Sequence, residues 1–589
     1  MSTPHRVELR PRFAYALVTA AFVGYALVVV PRVHSDLMGD VDRAGWAGAF
    51  AARLAGGARL YQDVVVTMPP GAIFVMGLIE RMVGRPVLAA ELAVVTLARL
   101  GTALVAARLA EQLDTRRTGL LVFASTLALT VGLTRESADE PLAALLVMVS
   151  LAMGARAFLA PEPAARRGFL AAGWLAAAAL GFHTATGAGA LAGWLIALAR
   201  FGKGSARRSW GLGVLGGLGS LTGVALAIGA HPVAAVRAVV VDGWELLGGW
   251  FGVLGRAASS AVGARALSAS LAVVALLAAL ALRVARRRGS LDPGEPSETR
   301  PDGLAVVAAL AAAMFAAAAL GVLRGSQLPR ALMSGADALR NLVGLGFVLA
   351  LLFAFAARGP ARCVWRTLAL VSVAVGVARG LAEPAAPPTA LDGPLIPVAL
   401  LALFVALERA AVRGAQTAAL VGALSALFGL GYERAALASA RANGAPYFDG
   451  LHVSVRGAEL IRLAQRVREL APPGETVLIM PGDPELGALI GRPAPPLRGG
   501  LVFAGAYPAR LVEGDLRALR DHPPRIIVRM ARNGELWRRV FGAVGDEAPA
   551  ARLVEAVDRE LGSGRYRRDA SFRCLYFFDQ GLIEVWVRR

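Results

Sequence analysis

Cysteine is nearly absent from this 589-residue chain: Cys363 and Cys574 are the only two. They lie far apart, and the topology argued below puts them on opposite sides of a membrane. That excludes a disulfide framework and a cysteine metal site. No His/Asp/Glu set has zinc spacing. No Walker-type glycine loop precedes a helix, so nucleotide hydrolysis has no support. No internal repeat or low-complexity tract stands out beyond alanine richness. A small-residue cleavage site is also missing behind the first apolar run, which therefore reads as a retained span and not a signal peptide.

What is present is apolar sequence in long blocks rich in Ala, Leu, Val and Gly. Hydrophobic residues make up 56% of the chain. Blocks of about 17–25 such residues can cross a bilayer as helices. Net charge is +20, nearly all of it arginine. The arginines cluster between the apolar blocks, which is the pattern of topology determinants and not of a nucleic-acid surface.

Taken in order, the pattern predicts about 13 transmembrane helices: 13–31, 87–110, 118–134, 140–158, 168–182, 185–200, 210–230, 262–283, 303–323, 337–357, 364–381, 394–411 and 415–432. Arg6, Arg10 and Arg12 place the N-terminus in the cytoplasm, and an odd count leaves the C-terminus outside. The Gly-rich run 210–220 reads as small-residue helix packing. Segment 433–589 carries charge throughout and no further spanning block. Strands are expected at 476–482, 525–530, 574–580 and 581–589, and helices at 454–470, 508–521 and 550–561. The fold class is thus a polytopic α-helical membrane protein, residues 1–432, with a C-terminal extracytoplasmic α/β domain, residues 433–589.

The most informative stretch is the first outer loop, 32–86. Carboxylates at the edge of a membrane are costly unless water, metal or substrate meets them. Here Asp36, Asp40, Asp42 and Asp63 lie between apolar blocks. Asp40 and Asp42 form a D-x-D pair. Such a pair can grip a metal, or one member can act as base while the other orients it; the plainer reading is a helix cap with a solvated neighbour. Residues 43–55 read as an amphipathic helix, with Trp46, Phe50 and Leu54 on one face laid on the membrane surface. Gly56-Gly57 would stop it. Tyr61, Asp63 and the pair Pro69-Pro70 follow, ahead of a second short interfacial helix.

The order D-x-D, GG-x-x-LYQD, PPG in the loop behind a first span resembles the GT-C glycosyltransferase superfamily. That superfamily includes the dolichyl-phosphate-mannose protein mannosyltransferases and the bacterial lipid A aminoarabinose transferases. A second matching feature is Asp139-Glu140-Pro141 opening a span after the third. The resemblance covers the membrane half in layout and about forty residues in motif. It implies a polyprenyl-phosphate sugar donor, with Asp42 as the catalytic base, Asp40 as the alternate, and Glu140 and Asp139 assisting or holding a divalent metal. The leaving lipid phosphate needs positive charge, which arginine binds bidentately. Arg135, Arg324 and Arg330 stand on predicted outer ends, and His183 follows the fifth span on the same side. For each arginine, contact with a lipid headgroup is the competing reading.

The expected partners are the donor, membrane lipids and an acceptor lipid, glycan or protein, with no nucleic acid. The expected location is a bacterial inner membrane. A rival reading is a flippase or transporter of a lipid-linked glycan. It would need charge in mid-span or broken helices in repeated halves. Glu91 and Arg99 come nearest to that.

Overall fold

The computed structural model describes residues 11–33, 50–51, 54, 57–83, 88–131, 138–242, 349–351, 353–354, 359–382, 395–409, 416, 442–447, 451–480, 486–487, 490–498, 507–530, 549–576 and 579–589. The helical part contains α1 (Pro11–Val33), α2 (Pro70–Val83), α3 (Leu88–Leu113), α4 (Arg116–Val131), α5 (Asp139–Leu159), α6 (Glu162–Leu180), α7 (Thr184–Phe201), α8 (Gly204–Ala227), the short α9 (Pro232–Val236), α10 (Gly359–Ala382) and α11 (Leu395–Arg409). A π-helical turn, Arg237–Asp242, continues α9. Among the described residues, four helices are long and apolar enough to cross a membrane: Ala93–Leu113, Asp139–Leu159, Gly204–Ala227 and Pro360–Arg379. Arg12–Leu27 and Ile396–Glu408 are apolar but shorter. The expected spans 262–283 and 303–323 lie outside the described residues, as do most of 337–357 and 415–432.

Alanine and glycine bring the helices close. A Cβ on Gly213 would sit 2.0 Å from the Leu170 carbonyl oxygen, and one on Gly173 would sit 2.2 Å from that of Trp210. Helices α6 and α8 therefore touch backbone to backbone, as small-residue packing requires. Helix α7 meets α10 the same way: a Cβ on Gly193 would lie 2.5 Å from Val371 Cα. One polar knot ties three helices inside this core. Trp194 Nε1 donates to Ser150 Oγ at 2.9 Å, and that hydroxyl donates to the Ala172 carbonyl at 2.8 Å. The outward faces carry exposed Leu195, Ile196, Leu212, Leu215 and Leu226, a surface suited to lipid.

The C-terminal part is α/β. A four-stranded sheet has the order β3 (Val477–Met480), β4 (Ile526–Met530), β6 (Asp579–Arg588), β5 (Tyr566–Tyr576). Strands β3 and β4 run parallel, with Val477 opposite Ile526. Strand β6 is antiparallel to both its neighbours. Helices α12 (Val455–Leu470), α13 (Val512–Asp521) and α14 (Pro549–Gly562) accompany it. A separate two-stranded ladder pairs β1 (Ala442–Tyr447) with β2 (Leu451–Ser454).

Strand β5 begins well before the expected 574. Its first eight residues, YRRDASFR, are mostly polar, and all but Tyr566 are exposed or partly exposed at the sheet edge, so no apolar run announces it. Arg466 on α12 pins it through two hydrogen bonds to Asp569, at 2.8 and 3.1 Å.

The apolar residues of the first loop do not simply face lipid. Phe50, Leu60, Tyr61, Val64, Val65 and Met76 are buried in one cluster with Leu463, Val477 and Ile526 of the α/β part. The expectation that the Phe50 face lies on the membrane surface is therefore corrected: protein covers Phe50, while Trp46 lies outside the described residues.

The close α7–α10 contact makes a prediction. Gly193→Ala forces two backbones apart and lowers the melting temperature of the detergent-solubilised protein. Gly219→Ala, with nothing within 4 Å of its Cβ, leaves it unchanged or raises it by the equivalent of about 1 kcal/mol of helix propensity. Equal melting temperatures for the two variants would contradict the packing.

Candidate active site

Helix α5 opens on Asp139 and Glu140, where the helix dipole favours negative charge. Its N-terminus is met by α3: the Ala138 N–H donates to Glu91 Oε1 at 3.3 Å. Asp139 is fully buried. Glu140 reaches across the bundle to Arg379, in the last turn of α10, where the dipole favours a cation. Arg379 Nη2 donates to Glu140 Oε2 at 2.6 Å, and the two side chains are 4% and 13% exposed. At that burial the pair is desolvated, and each charge depends on the other.

His183 completes the cluster. It is the N-cap of α7, in extended backbone, and its Nδ1 accepts the Thr186 N–H at 3.2 Å. The Thr186 hydroxyl lies 2.8 Å from the same nitrogen. With Nδ1 acting as acceptor, the neutral ring carries its proton on Nε2. That nitrogen sits 3.8 Å from Glu140 Oε1. Glu140 thus stands between a guanidinium and an imidazole at one end of the bundle.

The first loop docks at the same end. Tyr61 is a non-glycine residue at φ 63°, a conformation that costs energy and persists only where its surroundings hold it. Its hydroxyl donates to the Met68 carbonyl at 2.6 Å, and its N–H donates to the Val64 carbonyl at 2.7 Å. Burial pushes the Tyr61 phenol pKa up. Asp63 closes the turn on Arg59, with side-chain bonds of 2.9 and 3.1 Å and a bond from the Arg59 N–H at 3.0 Å. The Arg59 guanidinium, then its backbone N–H, hold this exposed carboxyl below the usual range.

Pro69 and Pro70 are buried, and Pro70 starts α2, where its missing N–H costs nothing. The Gly71 N–H then donates to the Gly181 carbonyl at 2.6 Å. A Cβ on Gly71 would meet that oxygen at 2.5 Å, so only glycine fits. Gly181 lies two residues before His183. The Pro-Pro-Gly step and the GFHTATG turn are therefore one contact.

Of the residues singled out from sequence, Glu140 and His183 come together beside Asp139. Tyr61, Asp63, Pro69 and Pro70 shape the loop that docks next to them. Asp40, Asp42, Arg135, Arg324 and Arg330 lie outside the described residues. Arg379 is the residue that sequence reasoning missed. It stands at the predicted outer end of the span 364–381, so the criterion that selected the other arginines also selects it. Among the described residues, no group of three His, Cys, Asp or Glu side chains is placed to hold a metal ion.

The arrangement is that of a helical membrane-type protein. A carboxylate–guanidinium–imidazole cluster lies at one end, beside the point where the first loop meets the Gly181 carbonyl. No known protein-family profile matches the chain, and no curated protein matches it. Two solved structures of ArnT from Cupriavidus metallidurans are similar to it at 14% identity. The apo state covers 97% of both chains with a TM-score of 0.44. The state bound to undecaprenyl phosphate covers 98% of both, also with a TM-score of 0.44.

Glu80 gives a pH-dependent prediction. It continues the buried stripe Ile73–Met76 of α2, and neither of its carboxylate oxygens has a hydrogen-bond partner among the described residues. Burial pushes its pKa up to about 7. The folded state then keeps a proton that the unfolded chain has lost, and stability falls as pH rises from the ordinary carboxylate range through 7. Glu80→Gln removes that dependence. Its stability advantage over the parent should open between pH 5 and pH 8, by as much as about 3 kcal/mol. An equal difference at both pH values would contradict the burial.

Proposed function

We propose that the chain is an integral-membrane glycosyltransferase. It moves a sugar from a polyprenyl-phosphate donor to an acceptor lipid, glycan or protein on the outer side of a bacterial inner membrane. The observation that carries this reading is the Glu140–Arg379–His183 cluster, set where the Tyr61–Pro70 segment docks. The motif order of the first outer loop, with its likeness to the GT-C superfamily, adds to it.

The chemistry is a displacement at the anomeric carbon. The acceptor oxygen forms a bond to that carbon, and the bond from the carbon to the phosphate oxygen breaks. Its electron pair leaves with the lipid phosphate. The acceptor proton passes to a carboxylate, for which Asp42 is the first choice and Asp40 the alternate. A single base and direct attack need no second nucleophile, so the transfer inverts configuration. Arg379 meets the phosphate, because a guanidinium presents its donors in a fork that matches phosphate oxygens. Glu140 sets the orientation of that fork, Asp139 supports it from the same turn, and His183 donates from Nε2. Arg135, Arg324 and Arg330 are further phosphate contacts from the outer ends. A divalent metal held by Asp40 and Asp42 is compatible with this scheme.

The same reading keeps about 13 transmembrane helices and a division into residues 1–432 and 433–589. It puts the N-terminus in the cytoplasm and the α/β part outside.

The test is transfer of labelled sugar from a panel of polyprenyl-phosphate sugars by the full-length protein in proteoliposomes. Arg379→Ala should lower kcat/KM by about a hundredfold or more. Arg379→Lys, which keeps the charge and loses the fork, should fall between. Asp42→Asn should abolish turnover while the protein remains folded. Full activity in Arg379→Ala would overturn the role given to the Glu140–Arg379–His183 cluster, and lipid-linked sugar crossing the membrane without transfer would overturn the reading in favour of a flippase.

A further inference from the structure

The α/β part grips the first loop through one residue, Arg498, from both of its ends. The Val65 N–H donates to the Arg498 carbonyl at 2.6 Å. Arg498 Nε donates to the Gln62 carbonyl at 3.0 Å. Two main-chain groups that follow Tyr61 in this turn are thus held by one arginine. Arg498 is itself fixed by a buried carboxylate. Its N–H donates to Asp515 Oδ1 at 2.8 Å, and the Tyr507 hydroxyl donates to Asp515 Oδ2. Asp515 is 1% exposed and lies in the first turn of α13. A few residues before it, Arg510 makes a second bridge to the helical part. Its Nη2 and Nε donate to the two carboxylate oxygens of buried Asp242, at 2.5 and 2.9 Å.

These contacts form one continuous run. Asp515 holds Arg498, Arg498 holds residues 62–65, and Tyr61 holds Met68. Pro69-Pro70 then delivers Gly71 to Gly181, two residues from His183. A loop carries several unsatisfied backbone groups, and here protein groups from a distant part of the chain satisfy two of them. Catalytic geometry is sensitive to displacements of an ångström, so a loop held this way is set for chemistry.

We propose that Arg498 and Asp515 are positioning residues for the transfer reaction, acting through the Gln62–Val65 turn, with Arg510–Asp242 as the second anchor of the same clamp. The proposal rests on the glycosyltransferase reading. It assigns the α/β part a role in turnover and not in donor binding, because the gripped residues lie in the loop and not in the Glu140–Arg379 pair.

The experiment uses the full-length protein in proteoliposomes. Hydrogen exchange is followed by mass spectrometry across residues 59–66. Binding of unloaded undecaprenyl phosphate is measured beside kcat and KM for whichever donor supports transfer. Arg498→Ala should raise exchange in 59–66 and lower kcat by about tenfold. Phosphate-lipid affinity should stay within about twofold. Arg498→Lys, which can still reach the Gln62 carbonyl, should restore part of the turnover. Asp515→Asn should act in the same direction as Arg498→Ala. Arg552→Ala, which removes an exposed ion pair to Glu513 within the α/β part, is the control and should change nothing.

Arg498→Ala deletes the side-chain bond to Gln62 and keeps the main-chain bond to Val65, whereas Asp515→Asn loosens Arg498 itself; unchanged exchange in both variants overturns the clamp, whatever the activity. Raised exchange with unchanged kcat overturns the positioning role and leaves the glycosyltransferase reading intact. Should no donor support transfer, the glycosyltransferase reading fails and the positioning role fails with it. The exchange arm still decides whether the clamp exists.

Discussion

Two opposite charges taken out of water must find each other, and Glu140 and Arg379 do so across 239 residues of sequence. Each alone would carry a desolvation cost of several kcal/mol. Together they bind the first turn of α5 to the last turn of α10, and both helix dipoles favour the charge they hold. The helix bundle must therefore bring these two ends into register. Closure of the α7–α10 contact by Gly189 and Gly193 does that, because α7 is capped by His183 beside Glu140 and runs against α10.

The rest of the described structure is arranged around that end. Pro-Pro-Gly stops the first loop and seats it on the Gly181 carbonyl. The turn at Tyr61 is held in a costly backbone conformation by its own hydroxyl on one side and by Arg498 on the other. The apolar residues of the loop are buried within protein, in a cluster that the α/β part shares. One apolar cluster thus runs from the loop into the C-terminal sheet. The opposite end of the bundle is a different kind of surface. There Tyr15 donates to Glu111 at 2.9 Å and Arg108 pairs with the same carboxylate at 2.7 Å, tying α1 to α3.

Much of this was legible in the residues. Among the described residues, nine of the expected spans coincide with helices to within six residues at either end, because a span's length is set by bilayer thickness and not by neighbours. Pro69-Pro70 marked the start of α2, and Gly213 and Gly217 packed as a small-residue run should. Other features were hidden for physical reasons. The first eight residues of β5 are mostly polar because all but Tyr566 are exposed or partly exposed at the sheet edge, and β1 and β2 offer too few apolar residues to alternate. Phe50 is buried in a cluster that draws on segments far apart in the chain, which no local periodicity encodes. Arg379 was visible by position but not by pattern: a lone arginine at a helix end looks like a topology determinant until Glu140 stands opposite it. The D-x-D pair, the strongest chemical signal in the sequence, lies outside the described residues.

The most direct test of the account is a double-mutant cycle on the pair itself. Glu140→Gln, Arg379→Gln and the double variant are compared by unfolding of the solubilised protein. If the two charges depend on each other, each single change should cost about 3 kcal/mol, and the double should cost little more than one single. Effects that add to within about 0.5 kcal/mol would show two independent groups and would contradict the arrangement on which the site is built.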